Sequence, residues 1–340
     1  MAATGPALLP HHRTFLPIPP PDDLPVTAAA TAAPTVRVMS YNVLAAASAD
    51  SGFFKLPHTT LAFHHRAPKV VDEITQLAPS IVCLQEADHV KDYYGPSLAK
   101  LGFDHVHVCR TGKADGEGVW YDRSRWFCRH SSPVMFADIE EEARTHRLPS
   151  PGNYSNPNVA IVAVLDSLLP PSAGDHPTIV VASLHLWWKP EDSHLRLAQT
   201  KYFMARLRAM LTREGLRDCP VILAGDFNSK PHSRVYDIFI KQGFQSSYSH
   251  YPHDSEAVRS ARTPPLEQCR SHRLDRREAP FTSVNGARID TIDYIFFQPQ
   301  HFYVTQLLDV PDVSKTEGLP SVYHPSDHLP IVVDLTARRT

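Results

Sequence analysis

Most familiar catalytic and structural signatures are missing from these 340 residues. The five cysteines (Cys83, Cys109, Cys128, Cys219 and Cys269) form no CxxC pair and are odd in number. That excludes a secreted disulfide scaffold and a cysteine-rich zinc site. No apolar run reaches the roughly 18 residues that a membrane span needs. Thr178–Trp188 is among the most apolar stretches, and Ser183 and His185 interrupt it. Basic charge is not in excess, since Lys+Arg 34 against Asp+Glu 36 leave a net −2. A broadly basic nucleic-acid binder is thereby excluded, although a local basic groove is not. GxGxxG does not follow the first strand, and GxxxxGK[ST], GxSxG and HExxH do not occur. Doubly wound nucleotide-binding, P-loop, serine-hydrolase and zincin chemistries fall away with them. With 42% hydrophobic and 21% charged residues, the chain has material for a substantial core. It reads as a reduced, soluble, cytoplasmic and monomeric protein with no membrane partner.

What is abundant is proline: 31 of 340 residues, where about 5% is usual. Eight of these prolines and eight alanines crowd into residues 1–34. That stretch has no helical or strand period and reads as a disordered tail outside the fold. It lacks the basic start and apolar centre of a secretory signal, and Asp22 and Asp23 sit poorly with a transit peptide. Residues 35–340 form the expected catalytic domain. Strands are expected at 35–44, 81–86, 103–108, 118–121, 158–165, 178–186, 221–225, 291–297, 302–309 and 331–335, from short apolar or alternating runs. Helices are expected at 65–78, 193–213 and 233–242, the last closed by Gly243. Residues 245–280, rich in His, Arg, Ser and Pro, read as a long surface excursion of unassigned role. Two sheets packed face to face, with helices outside, suit this strand count best.

The informative regularity is that apolar strands finish in a polar residue able to bind a metal or phosphate. Asn42, Glu86 and His185 do so, as do Asp226 with Asn228, then Asp293, and Asp327 with His328 just before the last strand. A lone acid at a strand end is usually a turn residue or cap, but repetition of carboxylate, carboxamide and imidazole is not explained that way. Positions two apart on a strand face one side, so Asp226 and Asn228 can converge. Such groups suit phosphoryl transfer to water with a hard cation, Mg²⁺ or Mn²⁺, bound through oxygen. Imidazole then serves as proton-transfer group or phosphate clamp, held by an acid behind it.

The segments SYNVL (40–44), LQE (84–86), NVAIV (158–162), SLHLWWKPE (183–191), GDFNSKPHSRVY (225–236), IDYIFF (292–297) and PSDHLPIV (325–332) resemble, in order, the endonuclease/exonuclease/phosphatase superfamily of DNase I-like hydrolases. Within it they are similar to the carbon-catabolite-repressor-type deadenylase and nocturnin branch. The resemblance implies a four-layer α/β sandwich with its site at one end of the two sheets. It implies Glu86 as principal metal ligand, with Asn42 beside it and Asp327 helping the metal or its waters. Asp226 would orient or deprotonate the water, Asn228 and His185 would contact phosphate, and Asp293 would pair with the catalytic His328. Asn158 matches a phosphate-side asparagine. DGEGVWYD (115–122) and HLWW (185–188) depart from the branch, and both regions shape the base or sugar pocket.

Substrate candidates are a nucleotide such as NADP(H), single-stranded RNA with a poly(A) end, and a 2′-phosphodiester or cyclic phosphate. A compact nucleotide is favoured, because a net charge of −2 gives little general grip on a long polyanion. One of Trp187 and Trp188 could stack on a base, and Trp187 and Lys189 are the expected substrate-side residues. The arginines of 259–277 read as a solvated loop, and Cys83 as packing. An inactive homologue that binds RNA or a protein partner is the alternative class. Loss of Glu86, Asp226 or His328 would mark it, and all three are present.

Overall fold

Strands apolar on both faces must be covered on both, and a second sheet inside with helices outside does this. The computed structural model describes residues 13–23, 35–145, 156–170, 176–252, 278–285, 288–311 and 318–338. Its strands are β1 Phe15–Pro17, β2 Thr35–Asn42, β3 Ile81–Ala87, β4 Phe103–Cys109, β5 Gly116–Asp122, β6 Trp126–Met135, β7 Val159–Ser167, β8 Thr178–His185, β9 Val221–Asp226, β10 Gln245–Ser246, β11 Ser283–Asn285, β12 Arg288–Asp290, β13 Asp293–Phe297, β14 Phe302–Leu308 and β15 Ile331–Ala337. The α-helices are α1 Ser51–Phe54, α2 His58–Leu61, α3 Phe63–Leu77, α4 Gly95–Lys100, α5 Ile139–Thr145, α6 Ser193–Arg213 and α7 Arg234–Lys241. One sheet runs β1-β14-β15-β2-β3-β5-β4, a second β10-β13-β9-β8-β7-β6, and β11 pairs with β12. No helix among the described residues is long and apolar enough to cross a membrane.

The expected four-layer sandwich is what the chain adopts. Val38, Ile81 and Val119 of the first sheet meet Ile161, Val181, Ile222 and Ile295 of the second in the central core. The opposite faces bury Met39, Val82 and Leu84 under α3, and Leu184, Leu223 and Phe296 under α6 and α7. Each such side chain contributes about 1.5–3 kcal/mol on burial. Two parallel pairings then place the site. β2 lies parallel to β3, and β8 to β9 with His185 opposite Asp226. β13 returns antiparallel with Asp293 opposite Asp226. The polar strand ends therefore gather at one edge of the sandwich.

Two expectations need correction. β6 was not expected: WFCRHSSPVM carries Pro133 and alternating exposure, as suits an edge strand with one wet face. The tail was expected to lie outside the fold throughout residues 1–34, yet β1 pairs with β14 from Phe15↔Leu308 to Pro17↔Gln306. Ile18 is buried in the central core, and its amide donates to the Thr305 carbonyl at 2.8 Å. Arg13 Nε donates to the Asp309 carbonyl at 2.7 Å, and Arg338 pairs with Asp23 at 2.9 Å. Proline is tolerated in β1 because that strand is at the sheet edge, and tertiary contacts rather than local period order it. Residues 1–12 and 24–34 lie outside the described residues, as does 253–277, which holds most of the expected excursion and its arginines.

A chain lacking residues 1–23 should therefore melt lower than the full chain, since Ile18 alone is worth roughly 2–5 kcal/mol; equal melting curves would return the segment to the tail. Glu73 of α3 gives a second check. Burial pushes its carboxyl from the ordinary 4.5 up to about 7, against the opposing pull of Tyr41 and Arg13. A carboxyl raised on folding contributes stability at low pH that is lost as pH climbs from its unfolded to its folded value. The melting difference between Glu73→Gln and wild type should thus rise in the variant's favour from pH 4 to pH 8, by at most about 3 kcal/mol. A flat difference would contradict the burial.

Candidate active site

Asn42 ends β2, and its side-chain amide donates to Glu86 Oε1 at 3.1 Å and to Asp226 Oδ2 at 3.2 Å. One carboxamide thus joins the first sheet to the second. Glu86 is lifted from the β3–β5 ladder by a register shift between Leu84 and Ala87, and has a left-handed φ of 54°. Its other oxygen accepts from the Ala45 amide at 3.1 Å. Asn228 also has a left-handed φ, 46°. Non-glycine residues held this way cost about 1–3 kcal/mol each and persist where surrounding contacts impose them. Here the Asn228 amide donates to Asp226 Oδ1 at 2.8 Å, and its side chain donates to the Leu186 carbonyl at 3.0 Å.

Two imidazoles face the same carboxylate. His328 Nε2 and His185 Nε2 each lie 3.6 Å from Asp226 Oδ2. His328 Nδ1 donates to Asp293 at 2.9 Å, and Thr282 donates to the same carboxylate at 2.6 Å. Burial opposes charge on His328, but Asp293, Asp226 and Asp327 outweigh it and hold the imidazole well above its ordinary pKa. Burial drives His185 the other way, downward, against the pull of Glu86. Burial and neighbouring Asp293 push Asp226 upward, although His328 and two amide donors oppose them. Burial also raises Asp327, whose carboxylate accepts from Asn285 at 3.1 Å. Ser326 Oγ donates to the Asn42 carbonyl at 2.6 Å and accepts from the His328 amide at 3.1 Å, locking the last loop to the first strand.

Of these groups, Glu86, His185, Asp226, Asn228, Asp327 and His328 line an open cleft of about 1140 Å³. Glu86 and Asp327 offer carboxylate oxygens, with Asn42 turning its amide N–H groups to Glu86 and Asp226 beside them. This donor set fits a hard divalent cation. Asp226, Asp293 and His328 also bring ligand atoms within 4.8 Å of one another. There, however, the Asp293–His328 hydrogen bond already occupies Nδ1.

Three expected substrate-side residues stand elsewhere. Trp187 packs against the outer core, and its indole donates to Asp192 at 2.9 Å; Trp188, 56% exposed, lines the cleft instead. Lys189 lies 5.9 and 5.8 Å from the two indole rings and is not among the cleft-lining residues. Asn158 is buried behind His185, donating to its carbonyl at 3.0 Å. Alternation past the end of β8 accounts for the first exchange: only one of two adjacent indoles can face the cleft.

Other residues were not anticipated. Arg110 reaches the cleft beside Glu86 and is paired with Asp115. Glu117 is fully buried 3.8 Å from His185 Nδ1, with neither carboxylate oxygen hydrogen-bonded among the described residues. Their sequence signal is the departure at 115–122, where acids interrupt a buried strand. Arg66 donates to the carbonyls of Leu61, Val43, Leu44 and Pro325, so one buried guanidinium ties the loop after Asn42 to the loop before Asp327.

Paired sheets ending in carboxylates, a carboxamide and an acid-held imidazole define a phosphoric ester hydrolase. The chain belongs to the Endonuclease/Exonuclease/phosphatase family, whose model matches residues 39–328. It is 28% identical to carbon catabolite repressor protein 4 homolog 4 of Arabidopsis thaliana, over 89% of this chain and 78% of that protein. It is 27% identical to 2′,5′-phosphodiesterase 12 of Mus musculus, over 88% of this chain but 51% of that protein, so it spans about half of that relative's length. Among solved structures, the human Nocturnin catalytic domain with bound sulfate superposes with TM-score 0.68 at 22% identity, covering 96% of this chain and 98% of that one. ANGEL2, a 2′,3′-cyclic phosphatase in complex with adenosine-2′,3′-vanadate, gives 0.71 at 23%, with 96% and 98% covered. At these identities the two structures speak to the fold. Family membership brings dependence on a divalent metal, in keeping with the acidic floor.

Glu86→Gln should stay folded and lose turnover, because the amide keeps the shape without the charge. His328→Ala should lose about 10²–10⁴-fold, the usual scale for a positioned proton-transfer group. Near wild-type kcat in either folded variant would remove that residue from the site.

Proposed function

We propose that the chain hydrolyses a phosphate ester of a nucleotide, with Mg²⁺ or Mn²⁺ as cofactor and NADP(H) as first candidate substrate. The carrying observation is the meeting of Asn42, His185 and His328 on one carboxylate, Asp226, at the floor of the cleft. Asp226 is the residue that takes a proton from the attacking water, since burial keeps it more basic than an ordinary carboxylate. The water oxygen bonds to phosphorus as the ester P–O bond breaks, and the electron pair leaves with the ester oxygen. His328, kept cationic by Asp293, clamps the phosphate through Nε2 and stabilises the charge that develops. Asn228 donates one N–H to Leu186, and its other N–H, without a partner among the described residues, faces a phosphate oxygen. A divalent cation held by Glu86, with Asn42 and Asp327 beside it, would neutralise phosphate charge and polarise its oxygens.

The names of the relatives support the nucleotide class: one is a 2′,5′-phosphodiesterase, and a structural neighbour is a 2′,3′-cyclic phosphatase. A second reading, a short single-stranded oligoadenylate, is favoured by the cationic side of the cleft, where Lys230, Arg234 and Arg288 lie. Lys230 is partly committed there, 2.6 Å from Asp290.

Phosphate and AMP release should be measured from NADPH, oligo(A), 2′–5′ oligoadenylate and abasic DNA at equal salt. Activity should vanish in excess chelator and return with Mg²⁺ or Mn²⁺; full activity in chelator would overturn the metal assignment. NADPH should exceed oligo(A) in kcat/KM. A tenfold advantage for oligo(A) would replace the first candidate with the second.

A further inference from the structure

The cleft is larger than the reaction at its floor requires. At about 1140 Å³ it exceeds the roughly 300–1,000 Å³ that suffices for a drug-sized ligand. Its lips are set by two loops that leave the same point in opposite sheets. Asn42 closes β2 of the first sheet and His185 closes β8 of the second, and both reach Asp226. Three residues beyond His185 stands Trp188, already described. Beyond Asn42, the loop lines the cleft with Leu44, Ser48, Phe53 and Phe54.

Phe53 is 61% exposed. A single exposed apolar side chain is ordinary on any protein surface. This one has an anchored backbone and an aromatic neighbour, however. The Asp50 carboxylate accepts from the Phe53 amide at 2.8 Å, and Phe54 packs edge-on with ring centroids 5.0 Å apart. The loop itself is anchored further back, where Arg66 takes the Val43 and Leu44 carbonyls. The cleft is thus lined by a phenyl ring from the segment after β2, an indole from the loop after β8, and the cationic Lys230, Arg234 and Arg288.

We infer that Phe53 is a stacking platform for the second ring system of a two-base substrate, and so a specificity residue that separates dinucleotides from mononucleotides. The inference deepens the nucleotide reading above and rests on it. Planar bases stack on aromatic side chains regardless of base identity, so the platform selects length rather than sequence. It serves NADP(H), with adenine and nicotinamide, as well as two linked adenylates. Arg234 and Arg288 line the same cleft and supply cationic partners for the phosphates that link the two rings.

The test is binding of two probes, AMP and diadenylate, to the full chain, to Phe53→Ala and to Phe53→Trp, in one buffer with Mg²⁺ replaced by Ca²⁺ to slow turnover. Wild type should bind diadenylate about tenfold tighter than AMP. Phe53→Ala should lose that increment and keep the AMP Kd, and Phe53→Trp should restore it. Because Phe53 is exposed, the variants should melt as wild type does. An undiminished increment in Phe53→Ala, or equal weakening of both probes, would overturn the platform while leaving the nucleotide reading intact. Failure of wild type to bind either probe would overturn both.

Discussion

A single carboxamide, that of Asn42, is shared by Glu86 on one sheet and Asp226 on the other, and the working end of the molecule is organised around that bridge. Carboxylates this close and this buried repel each other, and an amide offering both of its N–H groups is among the few neutral side chains that can stand between them. The bridge needs Asn42 fixed to within a fraction of an ångström. Its own Oδ1 accepts from Leu44 at 3.1 Å, and its carbonyl takes Ser326 Oγ. Arg66 then binds both loops that flank it through their carbonyls, and among the described residues no carboxylate is hydrogen-bonded to it. The four layers behind supply rigidity, and the bridge converts that rigidity into a defined distance between the two sheets' acids.

The same burial sets opposite charge states on two imidazoles only one carboxylate apart. His328 has Asp293 behind it and is held well above its ordinary pKa, whereas burial drives His185 downward and pushes its neighbour Glu117 well upward. Sites that separate the states of like groups in this way can run acid and base roles side by side at neutral pH. Arg110 balances the acid-rich wall, with Asp115 on one side and Glu86 facing it.

Much of this was legible beforehand because strand ends and local patterns coincide. α6 follows its helical period over Ser193–Arg213 as expected, and α7 starts at Arg234 with Ser233 capping the Tyr236 amide at 3.2 Å. The polar strand ends came into view one by one, and their convergence followed from parallel pairing of β2 with β3 and β8 with β9. What escaped was set by tertiary contact. β1 has no period of its own and exists because β14 needs an edge partner. β6 hides behind Pro133 and polar alternation. Arg66 is one arginine in a helical run, and nothing local distinguishes its burial. Trp187 and Trp188 show the limit most clearly: adjacency implied that one faces the cleft, but only packing against α6, where Gln199 accepts from the Trp187 amide at 2.8 Å, decides which.

The central claim is that His328 and Asp293 act as one unit upon the phosphate, beside the base Asp226. A double-mutant cycle on kcat, with Asp293→Asn, His328→Ala and both together, measures this directly on whichever phosphate ester the wild type turns over. The expected result is strong non-additivity, with the double variant no slower than His328→Ala alone. Losses that multiply, so that the double variant falls by the product of the two single effects, would show that the residues act independently and would contradict the arrangement.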